Sequence, residues 1–353
     1  MLPPWFDQLL DQIAKSAARM PHALLVHGQA GIGKREMGIA LARTMLCETG
    51  PESKPRGGCG ACPSCLWFDQ GNHPDFRRVT SDLLALEAGH QAADDDADET
   101  EQQEAGTARS RRAPSKEIRI EQIRALHGFL SVATHRGRHR VVFLYPLEVV
   151  NDIAANALLK MLEEPPPETV FILVADHIGR IKPTILSRCQ KIFVPTPPRE
   201  IALAWLKAEG VADADALLAA SGGAPLAARR ASKDEDTMRL HRQFLDYLAR
   251  PNADDAMSTA EAFAKVSPAS MVTWMQQWLA DCIAMKMTAR IRYHPTHSKP
   301  IAALVERSRI DALLTMDQRL TSIRRTVDHP LNTRLMLETL LLAYADAMAA
   351  TVA

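Results

Sequence analysis

Three groups of residues in this sequence have the types and spacing to do chemistry. The first is Gly28–Gln29–Ala30–Gly31–Ile32–Gly33–Lys34. Glycines let backbone N–H groups converge on phosphate oxygens, and the lysine adds positive charge. In a working phosphate loop a Ser or Thr hydroxyl follows and binds Mg²⁺; here Arg35 follows and cannot be a magnesium ligand. A glycine turn kept without nucleotide accounts for the segment equally well. The second group is Cys59-x₂-Cys62-x₂-Cys65, which sets three thiols in one tight loop, with Cys47 able to complete a tetrahedron. Four thiolates with no open position suit a structural Zn²⁺, and an iron–sulfur cluster takes the same number. His73 is a ligand only if Cys47 is not; its other role is to cap the turn at His73–Pro74–Asp75. The third group is Ser187–Arg188–Cys189. A cation at a helix C-terminus is favourable in itself, and an ion pair within its own chain is the simplest use of Arg188. Cys189 and Cys282 stand alone and have the character of small buried residues.

The elements that must position these residues follow from periodicity. A helix is predicted from Trp5 towards Arg19, then a strand at Ala23–Val26 that runs into the glycine loop, then a helix over Arg35–Leu46. Strand, glycine loop and helix in that order form the right context for phosphate. A short strand is predicted near Arg77–Thr80, and apolar strands at Val141–Leu144 and Val170–Ala175. Helices are predicted at Ile118–Leu126, around Asn156–Glu164 before Pro165 and Pro166, and just before Arg188. Strands alternating with helices predict a parallel α/β sheet covered on both faces. After the strand at Val141–Leu144, an ATPase of this fold carries an acidic pair, one carboxylate for the metal and one to orient water. This chain has Tyr145–Pro146–Leu147–Glu148 there, with Glu148 too late and expected to be a surface charge. Hydrolysis by this chain alone is therefore not expected.

Composition bounds the rest. The 353 residues are 46% hydrophobic and 24% charged, as in globular proteins of two or three domains. Zero formal net charge and 5% aromatics argue against a global field for nucleic acid and against base-stacking platforms. No apolar run spans a membrane and no signal segment is visible, so a cytoplasmic protein is expected, in which clustered cysteines favour metal over disulfide. From Glu87 to Ser115, acidic runs give way to arginines and apolar residues other than alanine vanish. This composition predicts a disordered surface loop, with an acidic interaction tail as the alternative. Pro195–Thr196–Pro197–Pro198 marks a boundary, beyond which the pattern is helical with a break at Ser221–Gly222–Gly223–Ala224–Pro225.

Taken together, these residues resemble the delta-prime subunit family of the bacterial DNA polymerase III clamp loader. The resemblance is carried, in order, by Pro21–His22–Ala23–Leu24–Leu25, the four cysteines, Asn72–His73–Pro74–Asp75 and Ile120–Glu121–Gln122–Ile123–Arg124. It continues through Asn156–Ala157–Leu158–Leu159–Lys160, Leu162–Glu163–Glu164–Pro165 and Ser187–Arg188–Cys189, so it covers nearly the whole chain. It implies an AAA+ fold: a RecA-like domain over 1–195 with a zinc module at 47–65 and the insert at 87–115, a helical lid over 196–240, and a helical collar over 241–353. It also implies a hetero-pentamer with motor (gamma/tau) and delta subunits that loads a sliding clamp onto primed DNA, with no membrane partner. In that family the Ser–Arg–Cys arginine acts in trans on ATP held by a neighbour, which makes Arg188 the finger and Ser187 and Cys189 its setting. Gly28, Gly33 and Lys34 would be a degenerate nucleotide loop, and Cys47, Cys59, Cys62 and Cys65 the zinc ligands. The motor subunits carry the acidic pair replaced here by Tyr145 and Pro146, and a lid arginine that Gly222–Gly223–Ala224–Pro225 lacks. The insert is outside the family pattern. Two other readings remain: an autonomous AAA+ ATPase, and a zinc-dependent DNA-binding module.

Overall fold

A computed structural model describes residues 2–15, 21–49, 57–87, 114–136, 139–326 and 332–349. The chain divides into two compact units, 1–197 and 198–353.

The first unit contains, in order, α1 (Asp7–Lys15), β1 (Ala23–Gly28), α2 (Lys34–Leu46), α3 (Pro63–Asp69), β2 (Phe76–Val79) and α4 (Asp82–Glu87). It continues with α5 (Ile120–Ser131), β3 (Arg140–Leu144), α6 (Asp152–Glu163), β4 (Thr169–Ala175), α7 (Pro183–Leu186) and β5 (Gln190–Val194). The five strands form one sheet in the order β2-β3-β4-β1-β5, and every neighbouring pair is parallel. Every residue of β3 and β4 is buried, as expected of central strands covered by helices on both faces. Alternate side chains sort cleanly by face. Leu25, Val142, Leu144, Phe171 and Leu173 join a core with Leu126, Leu158 and Leu162 of α5 and α6. On the other face Gly38 lets α2 lie close to Phe143, Ile172 and Val174. Arg140 is buried at the start of β3, where its guanidinium donates to the carbonyls of Leu130 (2.6 Å) and Val132. These are carbonyls that the end of α5 would otherwise leave unpaired.

The structure adds to the sequence reading at two places. The segment before Pro195 contains a strand, β5, which pairs with β1 along the sheet edge. The two flanks of the insert expected over Glu87–Ser115 meet, since Glu87 closes α4 and the Leu83 N–H donates to the Ser115 carbonyl at 3.2 Å. Residues 88–113 lie outside the described residues.

The second unit is helical throughout its described residues. Helices α8 (Arg199–Ala208), α9 (Ala214–Ala220) and α10 (Pro225–Ala231) enclose a small core of Ala202, Leu206, Leu217, Leu218 and Ala228. A larger core is built by α11 (Glu235–Ala249), α12 (Ala256–Ala262), α13 (Pro268–Thr288), α14 (Ser298–Arg307), α15 (Ile310–Thr326) and α16 (Thr333–Ala349). Trp278 sits at its centre, donating from Nε1 to the Tyr344 hydroxyl at 2.8 Å; that hydroxyl donates to the Leu248 carbonyl at 2.8 Å. One chain of hydrogen bonds thus ties α13, α16 and α11 and satisfies the buried indole and hydroxyl that make it. No described helix is long and apolar enough to cross a membrane.

Candidate functional site

The phosphate loop leaves β1 at Gly28 and enters α2 through Gly33, both at positive φ (154° and 99°). Such loops bind phosphate at the carboxyl edge of a parallel sheet, where the helix N-terminus faces the ligand. Here the lysine is turned inward. Lys34 is 2% exposed, and its Nζ lies 2.5 Å from Asp176 Oδ1 while also donating to the Gln29 carbonyl of the loop itself. Asp176 follows the last residue of β4, and the strand order sets β4 beside β1. Its Oδ2 accepts from the Tyr145 hydroxyl at 3.0 Å, and its N–H donates to Glu148 Oε1 at 2.9 Å. Glu148 is therefore not a bystander on the surface, as its sequence position suggests; it holds the backbone of Asp176. The Trp5 indole donates to the Ile32 carbonyl at 3.0 Å and braces the loop from outside. Asp176 is the residue that sequence reasoning missed.

The four cysteines converge. Cys47 caps the end of α2, Cys62 caps the start of α3, and Cys65 lies within α3. All four sulfurs lie within 4.8 Å of one another, the one group among the described residues that could hold a metal ion in this way. Cys59 and Cys65 Sγ are 3.9 Å apart; sulfurs at about 2.3 Å from a tetrahedral ion stand about 3.8 Å apart. The N–H groups of Cys59, Cys62 and Cys65 donate to the sulfurs of Cys47, Cys59 and Cys62 at 3.3–3.4 Å, bonds that favour thiolates. Hydrogen bonding with Thr49, then with the Ala61 and Cys62 amides, pulls the Cys59 thiol down to about 5. Burial pushes Cys65 up to about 12. A cation bound there would resolve this opposition, because a coordinating thiol is deprotonated outright. The loop is fixed by Arg43 of α2, which donates to the Gly57 carbonyl and to Asp69 Oδ2 (2.6 Å). Gly58 has φ +82°, and a Cβ on it would lie 2.9 Å from Cys65 Sγ. His73 is not part of the group: its Nδ1 accepts from the Asp75 N–H at 3.1 Å, capping the turn.

Arg188 stands elsewhere. It follows α7 and precedes β5, so it lies at the amino edge of the sheet. In the parallel register Gln190 pairs with Leu24, and Val194 with Gly28. Arg188 therefore precedes a strand span of about 13 Å separating it from the edge that carries the phosphate loop, at about 3.3 Å per residue. Its guanidinium pairs with Glu163 at the end of α6 and donates to the Thr184 carbonyl (3.0 Å) and Ser187 Oγ (3.2 Å). About a third of the side chain stays exposed. Ser187 Oγ donates to the Thr184 carbonyl at 2.9 Å, and Cys189 is half-buried against the α6 core, its thiol pushed up to about 11 by burial. The ion pair within its own chain is thus present, and the arginine is also presented at the surface.

Fold and site define the class: a parallel α/β domain of the phosphate-loop type carrying a tetrathiol site, continued by an all-helical unit. Comparison with known proteins narrows it. The profile described as "DNA polymerase III, delta subunit" matches residues 4–197, and that described as "DNA polymerase III, delta subunit, C terminal" matches 235–346. The chain belongs to this DNA polymerase III delta-subunit family. It is 32% identical to the DNA polymerase III subunit delta' of Pseudomonas aeruginosa, covering 97% of each chain. It is 33% identical to that of Escherichia coli over 64% of this chain and 59% of the relative. The tau subunit of Escherichia coli matches at 29% over 49% of this chain and 22% of that one. Among solved structures, a gamma-subunit-related protein of Thermotoga maritima aligns at TM-score 0.45 and 14% identity, covering 96% of this chain and 99% of that one.

Proposed function

We propose that this chain is the delta-prime-type subunit of a bacterial clamp loader, an AAA+ subunit that hydrolyses no ATP itself and serves its neighbour's nucleotide through Arg188. The observation that carries this reading is the position of Arg188 on the sheet edge opposite its own phosphate loop. From there it cannot reach a nucleotide on its own chain, yet it is exposed enough to meet one on another. An arginine offered in trans stabilises the charge that develops in phosphoryl transfer. Ser187 and Cys189 set its direction. The loss of hydrolysis is supported by Arg35 in place of a magnesium-binding hydroxyl and by Tyr145 and Pro146 in place of the acidic pair.

The partners in this reading are gamma/tau motor subunits and a delta subunit in a hetero-pentamer, with the sliding clamp and primed DNA engaged through the complex in the cytoplasm. The relatives' names, delta' and tau, support it. Within the second unit, Met238 packs with the smaller core and Leu240 with the larger one, which supports a lid ending near residue 240 and a collar beyond it. The ion at Cys47, Cys59, Cys62 and Cys65 is structural Zn²⁺. Four sulfurs around one point suit a single ion better than a cluster whose thiolates bind separate irons. Such a site staples the loop between α2 and α3 and takes no part in the chemistry.

The test is to rebuild the loader with Arg188→Ala and measure ATP turnover stimulated by clamp and primed DNA. A large fall with assembly intact supports the reading. Unchanged turnover, or turnover by the purified chain alone that Lys34→Ala abolishes, overturns it.

A further inference from the structure

We propose that Asp176 is the residue that keeps nucleotide out of this chain's phosphate loop, its carboxylate standing in for the phosphate. This rests on reading Gly28–Lys34 as a degenerate phosphate loop. It goes further in naming the group that closes the loop and in predicting that one substitution reopens it.

The argument starts from Lys34. An ammonium 2% exposed must have its charge matched. In a phosphate loop that match comes from the phosphates of the ligand. Here it comes from Asp176 Oδ1 at 2.5 Å, with the Gln29 carbonyl as second acceptor. A triphosphate entering the loop therefore meets a negative carboxylate where it needs a free ammonium. The carboxylate does not simply swing aside. Its second oxygen is held by the Tyr145 hydroxyl on the neighbouring strand's end, and its backbone N–H by Glu148. Tyr145 is also where a hydrolysing relative of this fold carries an acid. The residue that removes the catalytic carboxylate thus supplies the donor that fixes Asp176.

The rest of the loop is still built for an anion. The glycines keep their positive φ, Gly33 still starts α2, and Lys34 is in place. Removing the charge at residue 176 leaves an ammonium and a helix N-terminus facing the same point. The ligand class is a nucleoside triphosphate or inorganic polyphosphate bound without magnesium, because Arg35 offers the metal no hydroxyl.

The test uses the full chain carrying Asp176→Asn, titrated with a fluorescent ATP analogue in magnesium-free buffer without the chelators that would strip a thiolate-bound ion. The expected result is affinity at least tenfold above wild type, competed by inorganic tripolyphosphate and lost when Lys34→Ala is added. Asp176→Ser, which removes the charge with less bulk, answers the question if the asparagine variant is unstable. No gain in either variant overturns the proposal. So does a gain that ignores Lys34→Ala or tripolyphosphate, and so does wild type binding as tightly as the variant. The readout is binding by one chain with no neighbour present, so it stands or falls separately from the loader assay of Arg188.

Discussion

Asp281 is fully buried on α13, and the loop that follows this helix is folded onto its carboxylate. Its Oδ1 accepts from the N–H groups of Arg292 (2.8 Å) and Tyr293 (3.0 Å). Its Oδ2 accepts from the His294 N–H (2.7 Å) and from His294 Nδ1 (2.9 Å). One carboxylate therefore folds the loop between α13 and α14 onto the helix. Burial alone would raise its pKa, but the His294 ring and the three amides hold it below the usual carboxylate range. Asp281→Ala orphans all four donors. Those of the exposed Arg292 and half-exposed Tyr293 can turn to water, whereas both donors of His294 are buried, at 3% exposure. Two buried orphans at about 1–3 kcal/mol each, both losing a charged partner, give an expected loss of about 3–5 kcal/mol. Asp281→Asn is the sharper probe. It preserves shape, but whichever way the amide is turned, its NH₂ faces donors, so it should still cost about 2–4 kcal/mol. The assay is urea unfolding of the full chain followed by tryptophan fluorescence, because Trp278 packs against His294. An asparagine variant within about 0.5 kcal/mol of wild type would refute the claim that the carboxylate's bonds from these four donors hold this loop.

Other outcomes follow from the same structure. Burial, then the neighbouring His294 and His297, lowers the His241 pKa from 6.5 to about 4. Its neutral form is therefore the folded one, and the stability it contributes is present above pH 6.5 and lost as pH falls towards 4. The full effect is about 3 kcal/mol at about 1.4 kcal/mol per unit; His241→Gln should flatten that acid limb in thermal melts taken from pH 7 to pH 4. Gly58→Ala forces a Cβ onto Cys65 Sγ at a left-handed position, so purified protein should hold markedly less zinc by metal analysis, as should Cys62→Ser. Full zinc in Cys62→Ser protein would remove that thiol as a ligand. Arg140→Ala leaves the carbonyls at the end of α5 without their donor and should cost about 2–4 kcal/mol in the same urea assay.

What the sequence disclosed divides by how local its cause is. The cysteine site was legible because x₂ spacings bring sulfurs together within one loop, whatever the rest of the chain does. The glycine loop was legible for the same reason. Asp176 was not, because its partnership with Lys34 depends on β4 lying beside β1, and strand order leaves no mark on local pattern. Strand β5 was hidden by its place at the sheet edge: its apolar stretch is only Ile192–Phe193–Val194, too short to read as a strand, and Phe193 is 61% exposed while Ile192 and Val194 turn inward. His241, Asp281 and His294 come from three separate segments and meet only through helix packing. Arg188 was legible as a residue, but its meaning came from direction. The parallel register put it on the edge facing away from its own phosphate loop.

That direction is the centre of the functional account, and it has a direct test. Stimulated ATP turnover should be measured in loaders assembled with wild-type chain, Arg188→Ala and Arg188→Lys, with assembly checked by size and the DNA and clamp held saturating. At the nucleotide site facing this chain, both substitutions should cut turnover towards the roughly 10³–10⁵-fold loss that removal of an arginine finger brings, since a lysine lacks the planar fork. Assembled loaders that turn over ATP equally well with arginine, lysine or alanine at residue 188 would contradict the account.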